Sequence, residues 1–321
     1  MKIAKSIKIV ITMLAFVIAM SITLTACTPT EIVIITPDGA TYAAVVHMRR
    51  EVGSLEGKKL SYLPPEQESN IAAAMTSGSA DFIIAPTNIG ATIHNAFAAG
   101  KAAHDYKLAA AVSWGVLYLV TNEDTLAAYE KDGASDFLAQ FEGRTVQTIG
   151  LAAIPGKSVK YIFESAGVDV TLEGVGGANE IAMGLQGAGK VVGVMPEPAL
   201  SSLRNKYTVL GSVSDVFKEL TGNDFPMASM FVKAAFARDN ESLVSGFLSA
   251  LKASIEFLNE NPEQVGIWAE EFGGSAAIKK DTLPNAVEYM NIKYKNSTDA
   301  KEDVIKLLGS IGMTVNDGLF L

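Results

Sequence analysis

Residues 71–88 read IAAAMTSGSADFIIAPTN, and residues 181–198 read IAMGLQGAGKVVGVMPEP. Each segment opens as a helix, meets Gly, turns into an apolar strand and stops at Pro. Ile71 to Pro86 and Ile181 to Pro196 span equal lengths of chain. Upstream of each lies a Gly at a strand-to-helix turn: Gly39 in TPDGATY and Gly156 in IPGKSVK. A helix–Gly–strand–Pro unit repeated at one spacing predicts two lobes of similar make.

The flanking sequence extends the alternation. Short apolar or β-branched runs predict strands at 31–36, 59–63, 81–85, 145–149, 168–172, 191–195 and 207–210, with a longer run at 108–120 and an extended stretch at 227–234. Helices are expected at 40–50, 70–76, 89–98, 135–141, 157–165 and 179–186. Strand–helix–strand alternation argues for an α/β fold with mostly parallel sheet and flanking helices. The remainder reads as helical. Val244, Phe247, Leu248, Leu251, Ile255 and Leu258 recur at three and four residues, which is an apolar helix stripe. Asn261-Pro262 sets an N-cap before Pro at the first position of a further helix. Helices over 283–290 and 300–308 complete the chain, with no strand expected after about 235.

In this reading lobe one is 31–121 plus 227–321, and lobe two is 122–226. The chain crosses near 119–122 and again near 225–229. The cleft between the lobes is the expected ligand site, because open α/β sheets bind ligands beyond the carboxyl ends of their strands, where helix tips present free N–H groups.

Composition bounds the possibilities. The chain has 321 residues, 49% of them hydrophobic and 19% charged, and a formal charge of -9. That apolar content supports a packed core, and the acidic balance argues against a nucleic-acid footprint. One Cys excludes a disulfide framework and a multi-thiolate metal site. Lys2, Lys5 and Lys8 precede an apolar run over 9–24. The run is short for a spanning helix, which needs about 20 apolar residues, and fits a secretory signal over 1–26. It ends Leu24-Thr25-Ala26-Cys27, which resembles the lipobox of bacterial lipoproteins. That resemblance implies acylation of Cys27, palmitate included, a tether over 27–30, and a protein anchored by lipid on the extracytoplasmic face of the cell membrane.

Together, the lipobox at Cys27, TPDGATYAA after the first strand, SGSADFIIAPT in lobe one and KVVGVMPEPAL in lobe two resemble the extracytoplasmic solute-binding proteins of ABC importers. These have a type II periplasmic-binding-protein fold; the likeness is greatest to the nitrate, sulfonate and thiamine-precursor binding group. It implies a monomer that captures a small polar or anionic solute, closes by a hinge and delivers it to permease transmembrane subunits. It implies no cofactor. One departure stands at 190–193, KVVG, where that group keeps an Asp.

The candidate contacts are helix entries and strand ends. Asp38, Gly39, Thr41 and Tyr42 could meet an anionic or carbonyl group through free N–H groups and a hydroxyl, with helix capping as the competing role. Thr87 and Asn88 follow a strand end, and Gly156, Lys157 and Ser158 repeat the helix entry in lobe two. Glu197 stands between two prolines on a stiff loop, where it either accepts from a ligand or begins the next helix. Trp114 offers an aromatic wall beside Tyr118, with core packing the competing role. Met227 and Met230 are expected in the core.

Motifs of catalysis are missing from the sequence. His47, His94 and His104 lack HxxxH or HExxH spacing, no GxSxG elbow occurs, and GVGG at 174–177 lacks the P-loop Lys-Ser/Thr. The 156–158 GKS stretch lacks the Gly a P-loop needs at 151. No metal and no enzymatic activity are expected. The alternatives are an enzyme on the same fold, of pyrimidine-synthesis or lyase type, and a surface sensor lipoprotein.

Overall fold

The computed structural model describes residues 31–65, 68–187, 191–273, 275 and 277–321. The expected signal segment, Cys27 and Lys190 lie outside the described residues.

Strand β1 (Glu31–Ile35) buries Ile32, Ile34 and Ile35. Near-continuous apolar character fits a parallel strand covered on both faces. It pairs in parallel with β3 (Lys58–Tyr62) and β4 (Phe82–Pro86). The small β2 (Ser54–Leu55) closes one edge against β3. Antiparallel β5 (Tyr106–Ser113), β11 (Ala228–Lys233) and β12 (Ile292–Asn296) extend the other side, giving the order β12-β5-β11-β4-β1-β3-β2. The second sheet holds β6 (Leu117–Thr121), β7 (Thr145–Ile149), β8 (Thr171–Val175), β9 (Val191–Pro196) and β10 (Thr208–Ser212) in the order β10-β6-β9-β7-β8. The class is α/β with two lobes. Each sheet is mixed: β7 pairs in parallel with β8 and β9, whereas β6 runs antiparallel to β9 and β10.

The apolar run at 108–120 is therefore two strands in two sheets. Between them Gly115 adopts φ 105°, and a side chain there would collide with Ser214. A left-handed turn with so close a neighbour requires Gly. The first crossing falls at 114–116 rather than near 119–122, and Leu117–Thr121 hydrogen-bonds within the five-stranded sheet. The second crossing precedes β11, where the Met227 N–H donates to the Ser113 carbonyl at 2.8 Å.

The C-terminal third is not wholly helical. Strand β12 was unexpected because Lys-Tyr-Lys-Asn follows its single buried Ile292. It is a sheet edge, and lysines on an edge discourage pairing with another chain. The long helix Glu241–Glu260 buries its stripe at Leu243, Val244, Phe247, Leu251, Ile255 and Leu258, while Leu248 is only partly covered. Phe247 stacks on Phe82 with ring centroids 3.6 Å apart. Burying one such ring contributes about 1.5–3 kcal/mol. Helix Ala40–Glu51 packs against it, and the Ser254 hydroxyl donates to the Ala44 carbonyl at 2.6 Å while accepting from the Met48 N–H at 3.1 Å. That packing fixes the direction in which the start of helix Ala40–Glu51 points.

Candidate functional site

Between the two sheets lies a cleft of about 350 Å3. Its walls come from equivalent places in each lobe. Pro86 ends β4 and Pro196 ends β9, and both line the cleft. The prolines that close the sequence repeat are therefore opposed walls of one cavity. Helix entries complete the walls: Asp38, Gly39, Ala40 and Thr41 from lobe one, and Ala153, Ile154 and Pro155 from lobe two.

The lobe-one entry is built locally. Pro37 ends the extended chain after β1, and Gly39 takes φ 93°. Asp38 Oδ1 accepts from the Gly39 N–H at 2.7 Å, and the Gly39 carbonyl accepts from the Tyr42 N–H at 3.0 Å. Thr41 Oγ1 leans toward the Pro37 carbonyl at 3.4 Å. The amides of Ala40 and Thr41 precede any intrahelical acceptor and face the cleft end of the helix. Tyr42 is one turn deeper. It is buried in the lobe-one core with its hydroxyl accepting from Arg49 at 3.1 Å, and it does not line the cleft.

The lobe-two entry is more occupied. The Gly156 N–H donates to the Gly150 carbonyl at 3.3 Å, and Lys157 N–H donates to the Ala153 carbonyl at 3.1 Å. Pro155 has no N–H to offer. Gly156 and Lys157 instead line a different surface cavity with Leu151 and Lys160. Any side chain at 156 would run into the Leu151 backbone, so Gly there serves close packing rather than ligand approach. Ser158 is fully buried, and its hydroxyl has no partner among the described residues.

The remaining candidates separate in the same way. Thr87 is fully buried; its hydroxyl donates to the Pro226 carbonyl at 2.7 Å and lies 2.9 Å from Ser229 Oγ. Its N–H donates to the Met227 carbonyl at 2.9 Å. Thr87 therefore ties β4 to the second crossing. Asn88 Oδ1 is buried without a partner among the described residues, away from the cleft lining. Trp114 is packed at the first crossing: its indole donates to the Lys293 carbonyl at 2.9 Å and Lys295 Nζ sits 4.4 Å from its ring centroid. Tyr118 donates to the Tyr289 carbonyl at 2.8 Å, linking the lobes. Burial, with the nearby Glu197 charge, holds its hydroxyl well above the ordinary range. Met230 is core, but Met227, also expected in the core, lines the cleft.

Glu197 lines the cleft while its side chain is wholly covered. One carboxylate oxygen accepts from the Ser201 N–H at 2.9 Å, and the other pairs with Arg204. Of its two competing roles, the turn that begins after it occupies both oxygens. No sequence signal pointed to Arg204, Ser113, Leu117 or Ala277; the last three line the cleft because strand ends and a distant loop converge there.

The histidines are engaged elsewhere. His94 Nδ1 lies 2.7 Å from Asp105 Oδ1, and His47 stacks on Phe257 at 4.2 Å. Burial lowers the His47 proton affinity.

Two mixed α/β lobes, joined by two crossings around a cleft, define a periplasmic-binding-protein fold. Among solved structures, the chain is similar to an ABC transporter protein from Parabacteroides distasonis, with TM-score 0.70 and 21% identity over 91% of this chain and 99% of that one. It is similar to the periplasmic aliphatic sulphonate binding protein SsuA of Escherichia coli, with TM-score 0.65 and 15% identity over 90% and 96% of the two chains. The periplasmic nitrate-binding protein NrtA of Synechocystis PCC 6803 gives TM-score 0.56 and 12% identity over 91% and 75%. No protein-family model and no curated protein matches the sequence. At these identities the likeness is one of fold.

Proposed function

We propose that this chain is the solute-capturing component of an ABC importer, anchored through Cys27 on the extracytoplasmic face of the membrane. In this reading residues 1–26 are removed, a small molecule is held between lobes, and the closed form is presented to a permease. The observation that carries it is the cleft itself. It is built from paired strand-end prolines and helix entries of both lobes, and its volume lies within the range of small-molecule sites. The similarity to transport binding proteins over nine-tenths of the chain supports the same role. Rotation about the 114–116 and 222–227 crossings would open and close it. Closure follows only from a solute that binds the closed form better.

A dialysed sample heated with a broad metabolite panel tests the capture step. A ligand of the native state must raise the melting temperature. No shift with any compound, beside a responding reference binder, would overturn the proposal. The anchor is tested separately: Cys27→Ser is expected to move the protein from the membrane fraction to the soluble one.

A further inference from the structure

We infer that the cleft takes an uncharged or cationic small molecule with an apolar body, and discriminates against free oxyanions such as sulfonate and nitrate. This rests on the solute-binding reading above and specifies the chemistry of that site.

The charge inventory is the first observation. Among the described residues, no Lys, Arg or His lines the cleft. Its two ionisable side chains are Asp38 and Glu197. Glu197 is neutralised by Arg204 and has both oxygens occupied. Asp38 is exposed and, among the described residues, has no ion-pair partner; its Oδ1 accepts from the neighbouring amide. The unbalanced charge on the walls is therefore negative. An incoming anion meets repulsion without a compensating cation, and a cation meets attraction.

The donor geometry is the second. A helix tip can hold an anion through its free amides, and two opposed tips would make a clamp. Here lobe two spends part of that capacity internally. Pro155 lacks an N–H, and the amides of Gly156 and Lys157 are bonded to Gly150 and Ala153 carbonyls. The lobe-one tip offers the Ala40 and Thr41 amides, and Asp38 stands beside it.

The third is the wall. Val116, Leu117, Ile149, Ile154 and Met227 join the prolines around the cavity. Desolvating an oxyanion against such a surface is unfavourable unless every oxygen is bonded. An apolar body gains from the same burial. Polar recognition is left to a few groups: the Ala40 and Thr41 amides as donors, Asp38 as acceptor, and Ser113. Ser113 is 2% exposed and lines the cleft. These groups suit a molecule carrying one acceptor and one N–H or ammonium donor on the edge of an apolar frame.

The test uses the full chain. Solute retained by the purified protein is released by denaturation and identified by mass spectrometry in both ion polarities. In parallel, thermal stabilisation is measured with nitrate, ethanesulfonate, benzoate, benzamide and benzamidine; the last three share a shape and differ in charge. The expected result is a released solute that is neutral or cationic at pH 7. Benzamide or benzamidine should stabilise more than benzoate, with no shift from nitrate or ethanesulfonate. Asp38→Asn, which keeps the local hydrogen bond, should weaken binding of the released solute about tenfold, a difference of about 1.4 kcal/mol. A released anion, or saturable stabilisation by nitrate or ethanesulfonate, overturns the charge preference and leaves solute capture standing. No released solute and no shift with any probe or metabolite overturns both.

Discussion

The Arg204 guanidinium lies 3.6 Å from the centroid of the Tyr289 ring, so a cation from lobe two rests on an aromatic face from the C-terminal part of lobe one. The same guanidinium pairs with the covered Glu197 at the cleft wall. Arg204 thus joins a lining loop to the opposite lobe, beside the Tyr118–Tyr289 and Ser201–Asn285 hydrogen bonds.

Removing Arg204 leaves a buried carboxylate unpaired. Arg204→Met should destabilise the fold by about 3 kcal/mol, since breaking a buried pair exposes the desolvation cost of its survivor. Adding Glu197→Gln should recover much of that loss. Tyr289→Leu should cost less, about 1 kcal/mol for the cation–π contact. Urea unfolding midpoints of the singles and the double check this; a single Arg204→Met with wild-type stability would contradict it.

Gly39 sets the cleft-side turn with φ 93°, and open space surrounds the position of a Cβ. The cost of Gly39→Ala is therefore backbone strain, about 1–3 kcal/mol. A lower melting temperature with weaker solute binding is the expected outcome, because the Ala40 and Thr41 amides would be re-aimed. Calorimetry on the variant reads both.

Gly156 does not face the cleft, yet Gly156→Ala is expected to affect it. The added methyl would overlap the Leu151 backbone, displacing the turn that carries Ala153 and Pro155. Overpacking of this kind costs about 1–3 kcal/mol. Lys157→Ala, one residue on and half-buried at the outer cavity, should leave binding unchanged. Titration of both variants separates the two effects.

Asp224 at the second crossing reports on pH. Burial pushes its carboxyl up, but hydrogen bonds and charge from Lys218 and Lys295 outweigh this and hold it below the usual range. Lys218 Nζ and Lys295 Nζ lie 2.8 and 2.7 Å away. A carboxyl depressed in the fold adds stability above its unfolded pKa, near 3.9, and loses it as pH falls through the lower folded value. Asp224→Asn should therefore be less stable than wild type at pH 7. The gap should narrow as pH falls below about 4. Denaturation midpoints across that range supply the check.

The α/β class and the two-lobe plan were legible in the paired 71–88 and 181–198 segments, because strand and helix periodicity is a local property of the chain. Helix Glu241–Glu260 was legible for the same reason. Of the site, the Asp38–Thr41 entry and the Glu197 loop were readable from turn chemistry, and both line the cleft. What escaped was whatever depends on a partner distant in sequence. The run at 108–120 gave no sign that Gly115 splits it between two sheets, since that follows from Ser214 standing close by. Strand β12 pairs with β5 across most of the chain, and its lysines conceal it.

Local sequence alone determined most of the strands, helices and turns, because backbone sterics and side-chain periodicity act over a few residues. Only the tertiary structure decided which candidate polar groups remain available. Thr87, Gly156 and Glu197 spend their hydrogen-bonding capacity on the Pro226 carbonyl, the Gly150 carbonyl and Arg204 respectively. Ser113 and the Ala40–Thr41 tip are left at the cleft. Burial and pairing are set by neighbours that the fold brings together, so the charge of the cavity could not be read from the charge of the chain.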